Sequence, residues 1–164
     1  TVVPPTRPLA WQKIDAIQLA MDKNCDIILW IDGDAIIMKS DIKIQDPIKD
    51  IALGRNDDGI NSGVMIIKNT LWSKKYFKKV SSMHEFDDHH WWEQAAMMEL
   101  DKDIHIRRHI QSISLDVYNS NEITHDTFIY HPWLCNSWYG ELKCEDLWKI
   151  AFRKLDKDVK AGIN

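Results

Sequence analysis

The sequence predicts an α/β layered domain with a mainly parallel sheet, and three observations carry that reading. Trp11, Ile14, Ile17 and Met21 recur at helical spacing. A run apolar at every position, Ile27 to Ile31, follows and ends at Asp32-Gly33-Asp34, as a strand buried on both faces in the middle of a parallel sheet does. Helical and strand patterns then alternate to the C-terminus, which points to layered α/β architecture rather than to a sandwich or a bundle. The chain of 164 residues suffices for one hydrophobic core, so a single domain over 1–164 is expected.

Taken in order, Pro4, Pro5 and Pro8 make residues 1–9 an extended arm, because proline fixes φ and removes a backbone donor. A helix starts at Trp11 and ends near Asn24, and the strand Ile27–Ile31 follows. Ala35 to Met38 is a second apolar run, and residues 39–50, with Pro47, read as a connection or short helix. Ile51-Ala52-Leu53 reads as a short strand, and Asn56-Asp57-Asp58-Gly59 carries turn chemistry. Ile60 to Ile67 is a strand interrupted at Asn61-Ser62-Gly63. Thr70 caps a helix whose Trp72, Tyr76, Val80 and Met83 share one stripe. A further helix is expected from about His89 to Leu100, and 104–118 alternates as strand segments. Phe128-Ile129-Tyr130 is a short strand ending at His131, and Leu147 to Leu155 is a helix.

Hydrophobic residues at 45% and charged residues at 28% describe an ordinary soluble globular chain. Its longest apolar run is far short of the ~20 residues that a membrane helix needs. A net charge of −4 argues against a binder of duplex nucleic acid. Three cysteines, Cys25, Cys135 and Cys144, allow at most one bridge and leave the redox compartment open. Eight tryptophans fit either sugar-stacking surfaces or an aromatic core.

The chemistry concentrates in Ile28-Leu29-Trp30-Ile31-Asp32-Gly33-Asp34-Ala35. Two carboxylates, two residues apart at a strand end, leave the sheet together at the crevice where α/β folds bind ligands. They suit a hard divalent cation that can carry a diphosphate, and Gly33 between them lets a ligand approach the backbone. A solvated turn is the plainer alternative. His84, His89 and His90, among Glu85, Asp87 and Asp88, read as a solvated loop rather than as a metal cluster.

Trp11-Gln12-Lys13 together with Leu29 to Ala35 resembles the W-x-K helix and D-x-D-A strand of glycosyltransferase family 34. The similarity continues in order. Gly59-Ile60-Asn61-Ser62-Gly63-Val64 with Lys68-Asn69 and Trp72-Ser73 is similar to the family's G-x-N-x-G-V and R-N-x-x-W-S segments. Glu93-Gln94-Ala95-Ala96 resembles its D-D-Q-S-A helix, Tyr118-Asn119-Ser120 its F-N-S-Y segment, and Phe128 to His131 with Cys135 its F-V-x-H-F-x-G-C. The departures are Trp92 and Glu93 in place of two aspartates, Pro132 in place of an aromatic, and Leu134 in place of glycine.

The resemblance implies a GT-A fold, here without its first N-terminal strand unit, since the match begins at the helix before the D-x-D strand. It implies a metal-dependent retaining glycosyltransferase that moves a hexose or pentose from a nucleotide sugar to a glycan or glycoconjugate. Mn²⁺ or Mg²⁺ would be held by Asp32, Asp34 and His131. Donor contacts fall to Lys13, Asp32, Gly33, Asp34, Asn61 and Gly63, and catalytic roles to Glu93 and Gln94. Trp92, Trp133 and Trp138 are acceptor-side candidates. Family members in eukaryotes are Golgi-lumenal, anchored by an upstream segment absent here, so the chain is expected to be soluble as given. Two other classes compete. One is a sugar-nucleotide or glycan-binding domain without turnover, motivated by the altered D-D-Q segment. The other is a haloacid-dehalogenase-type phosphatase, against which Ile36 stands where that group needs Thr or Val.

Overall fold

Thr70 shows most directly how local chemistry sets an element. Its hydroxyl accepts from the Ser73 N–H at 3.1 Å and starts α2 (Leu71–Ser81). The computed structural model describes residues 7–23, 25–39, 42–44, 46–132 and 144–160. Two compact units divide them: Thr1–Trp30 with Asp46–Ser112, and Ile31–Gln45 with Ile113–Asn164.

In the first unit a 3₁₀ turn, Leu9–Trp11, leads into α1 (Gln12–Met21). Its buried stripe is Ile14, Ile17 and Met21, as the spacing predicts. A sheet orders its strands β1 (Ile27–Ile31), β4 (Gly59–Lys68), β3 (Ile51–Asn56) and β5 (Ile110–Ile113). β3 and β4, neighbours in this order, form an antiparallel hairpin. At its turn the Asn56 carboxamide oxygen accepts from the Asp58 and Gly59 N–H groups, both at 3.1 Å. Gly59 takes φ 132°, a conformation that strains any residue with a side chain, so glycine is favoured there.

β4 is one of the two inner strands and is buried from Ile60 to Ile67. The expected interruption at Asn61-Ser62-Gly63 is a bulge rather than a break. Leu53 pairs with Met65 but the next residue, Gly54, pairs with Asn61, which leaves 62–64 without partners on β3. β1, expected in the middle of the sheet, is an outer strand among the described residues, and only Ile28 in it is buried.

Two helices depart from expectation. α3 (Trp92–Asp101) begins later than His89, because the His89 ring accepts the Trp91 N–H at 3.1 Å and Trp92 takes φ 41°. Residues 104–118 are not a series of strands. Asp103 accepts from the His105 N–H and turns Ile104–Arg107 into one helical turn, α4; α5 (Leu115–Tyr118) follows β5. Alternating Ile104 and Ile106 imitated a strand, yet Ile104 is exposed. One core gathers α1, α2 and α3 on the sheet through Ile14, Ile17, Phe77, Val80, Met97, Leu53 and Ile67.

The second unit contains an antiparallel pair, β2 (Ile36–Ile37) with β6 (Ile129–Tyr130), and the helix α6 (Cys144–Lys160). Met38, Tyr130 and Ala151 are its buried apolar centre, with Ile36, Ile123 and Leu155 packed on them. No described helix is long and apolar enough to cross a membrane.

Candidate metal centre

In the second unit, Asp32-Gly33-Asp34-Ala35 makes a tight turn closed by the Ala35 N–H on the Asp32 carbonyl at 3.0 Å. Among the described residues, a Cβ placed on Gly33 meets nothing within 4 Å, so they leave the space beside the turn open. β2 leaves this turn and pairs with β6 in the register Ile36 to Tyr130, which brings the residues before β2 to the end of β6. His131 follows Tyr130 directly. The Met38 N–H on the Phe128 carbonyl, at 2.7 Å, extends the pairing.

The result is a three-residue cluster that could hold a metal ion. Asp32, Asp34 and His131 each offer an atom, and all these atoms lie within 4.8 Å of one another. His131 is buried, and its Nε2 stands 3.0 Å from Asp34 Oδ1. Its Nδ1 stands 2.8 Å from the carboxamide oxygen of Asn119. An amide oxygen only accepts, so Nδ1 must donate. When the ring is neutral, its Nε2 lone pair therefore faces a carboxylate oxygen. Two acceptors turned on each other require a proton or a cation between them. Two hard oxygen donors and an imidazole fit a divalent transition ion well.

The first unit holds a second polar group built from residues the sequence singled out. Lys13 and Glu93 are both buried, and Lys13 Nζ meets Glu93 Oε1 at 2.8 Å. Lys13 also donates to the Ser62 carbonyl at 3.3 Å and to its hydroxyl at 3.2 Å, with the Trp30 ring 5.9 Å away. The Ser62 hydroxyl meets Glu93 Oε1 at 3.1 Å, and the Gln94 side-chain oxygen accepts from the Ser62 N–H at 2.9 Å. Glu93 Oε2 is buried with no hydrogen-bond partner among the described residues. Glu93 is thus neither a surface cap nor a solvated group, and Lys13 is not a solvated helix lysine. The Asn61 side chain accepts from the Gly63 N–H at 2.9 Å, so the bulge uses it as a turn residue.

Trp91 and Trp92 stand at the N-terminus of α3. Both are exposed, at 38% and 42%, because Glu93 takes the inward position instead. Trp133, Trp138 and Cys135 lie outside the described residues, as does the Cys144 side chain; Cys25 is a free thiol. Among the described residues, His84, His89 and His90 join no metal cluster, whereas Asp32, Asp34 and His131 form one. Sequence reasoning assigned no role to Ser62 or Asn119. The one signal for Asn119 was its place in the Tyr118-Asn119-Ser120 similarity.

Neither a protein-family model nor a curated protein matches the chain. Solved structures do. A glycosyltransferase involved in glycosylation of the major capsid of PBCV-1 aligns over 84% of this chain and 77% of its own, at 19% identity and TM-score 0.61. The glycosyltransferase GlyE of Streptococcus pneumoniae TIGR4 aligns over 99% of this chain at 17% identity and TM-score 0.57. Its apo form gives 92%, 15% identity and TM-score 0.55. These likenesses establish the class of fold: this is the α/β fold of glycosyltransferases, as the sequence predicts. The chain spans about half of GlyE, 48% of its length.

Proposed function

We propose that the chain is a metal-dependent retaining glycosyltransferase domain, which passes a hexose or pentose from a nucleotide sugar to a glycan or glycoconjugate acceptor. The supporting observation is the convergence of Asp32, Asp34 and His131 on one point of a glycosyltransferase fold. Mn²⁺, or Mg²⁺, is the cation this donor set favours. Bound there, it would neutralise the charge that develops on a departing diphosphate. The chain's own part is to hold two carboxylates rigidly on a four-residue turn and to leave the space beside Gly33 open.

The resemblance to family 34 supplies the remaining roles of this proposal. Asn61, Gly63 and Lys13 are assigned to the donor, and Gln94 to the transferred sugar. Glu93, closed off and paired with Lys13, sets Gln94 and the Ser62 bulge in position. Trp92, exposed beside it, together with Trp133 and Trp138, is assigned to the acceptor. One observation favours the alternative of a sugar-nucleotide or glycan-binding domain without turnover: Lys13 and Glu93 are bonded to each other and buried.

A single experiment separates these readings. The chain is given a panel of nucleotide sugars with Mn²⁺, and both binding and nucleotide release are measured. Release that a chelator abolishes, and that Asp32→Asn and Asp34→Asn each lower at least tenfold with the fold intact, supports the enzyme. The product should keep the donor's anomeric configuration. Metal-dependent binding without release supports the alternative. Full activity in chelator, or in both variants, refutes the cation assignment.

A further inference from the structure

Asn119 is fully buried, yet it carries a polar amide beside the proposed ligand set. Its position is fixed by backbone bonds from two sides. Its own N–H donates to the Leu115 carbonyl at 3.0 Å, which ends α5. The next residue, Ser120, bridges Tyr130 in parallel, with the Ser120 N–H on the Ile129 carbonyl at 3.0 Å. The His131 N–H returns to the Ser120 carbonyl at 2.7 Å. This bracket sets residues 119 and 131 side by side, and their side chains meet at 2.8 Å.

We infer that Asn119 is a positioning residue of the metal centre: its amide oxygen holds His131 in the Nδ1–H form and aims Nε2 at the cation between Asp32 and Asp34. The inference rests on the cation reading given above. A histidine presents a lone pair from one ring nitrogen only when the proton sits on the other, and the partner of that other nitrogen selects the form. A neutral amide suits this place. Asp32 and Asp34 already bring two negative charges for a dication, and a third carboxylate would add repulsion when the site is empty. An acceptor without charge orients the ring and leaves that balance alone.

The test has a spectroscopic arm and a binding arm, both on the full chain. In the metal-free protein above neutral pH, ¹⁵N NMR of the His131 ring reports which nitrogen carries the proton. Nδ1–H is expected, and a ring protonated at Nε2 alone overturns the inference. In Asn119→Leu, which keeps the branching at Cγ and removes the acceptor, the ring should lose its Nδ1–H preference. Mn²⁺ affinity by titration calorimetry should fall about 10- to 100-fold. Asn119→Asp restores an acceptor at the same reach and should keep both the Nδ1–H form and an affinity within about tenfold of the original. Unchanged Mn²⁺ affinity in Asn119→Leu overturns the positioning role. If that variant does not fold, the tautomer of the unaltered protein and the Asn119→Asp affinity decide. His131→Ala separates the two levels of the argument. If His131→Ala binds Mn²⁺ as well as the original, the cation reading fails with the inference. If it loses Mn²⁺ while Asn119→Leu does not, only the role of Asn119 falls.

Discussion

Breaking the Lys13–Glu93 pair should destabilise the first unit more than any other single polar change in the buried network. Both side chains are almost removed from solvent, at 8% and 4% exposure, and their charged atoms stand 2.8 Å apart. Removing Lys13 strands the Glu93 carboxylate in a poor solvent, and the loss of one partner costs about 3–5 kcal/mol in such buried pairs. The two singles differ in what they leave behind. After Glu93→Gln, the contacts that Lys13 keeps include two acceptors on Ser62 at 3.2 and 3.3 Å. After Lys13→Met, the Glu93 carboxylate keeps only the Ser62 hydroxyl, since its Oε2 has no partner. Lys13→Met is therefore the worse, near 5 kcal/mol, and Glu93→Gln lies near 3 kcal/mol. Both are large against a total stability of about 5–15 kcal/mol. The double variant removes both charges and should recover at least about 2 kcal/mol of the summed loss, the signature of direct coupling. Equilibrium urea unfolding of the four proteins, with slopes compared to confirm a common transition, measures the cycle. Losses below 1 kcal/mol for both singles, or strict additivity, would refute the reasoning.

Three further predictions concern the bonded pair Asp50 and Thr70 and the start of α3. Burial pushes the Asp50 carboxyl up, but the Thr70 hydroxyl, the His109 ring and Lys68 outweigh it and hold it below its ordinary value. A group depressed on folding adds stability that is present above about pH 3.9 and lost as pH falls through the lower folded value. Asp50→Asn should therefore flatten the acid limb of the stability–pH curve, and an unchanged limb counts against it. Thr70→Ala deletes the α2 cap and the 2.6 Å bond to Asp50, and should cost about 1–2 kcal/mol by denaturant unfolding, with Thr70→Ser recovering most of it. Trp92 pays for a positive φ of 41° with a side chain that is 42% exposed, so Trp92→Gly should leave thermal stability unchanged or raise it. If Trp92 also meets the acceptor, that variant raises the acceptor KM and spares kcat; a loss of more than about 1 kcal/mol shows instead that its packing outweighs the strain.

The sequence by itself determined those features whose partners lie within a few residues. The α1 stripe, the Asn56–Gly59 turn, the Thr70 cap and the Asp32–Asp34 pair after an apolar strand are all encoded inside one helical turn or one strand. Short windows also misled where two local codes overlap. Ile104 and Ile106 alternate as in a strand, but the Asp103 cap folds them into a helical turn. Tertiary structure decided which distant groups meet. The register of Ile36 on Tyr130 carries His131 to Asp34 across 97 positions of sequence, and only the family resemblance anticipated that meeting. The bulge in β4 carries Ser62 to Lys13 and Glu93, and the bridge from Ser120 to Tyr130 carries Asn119 to His131. No single window contains either bracket. A buried lysine, glutamate or asparagine looks like any surface polar residue until pairing register and burial choose its partner, because desolvation and direction act only once the chain has closed around it.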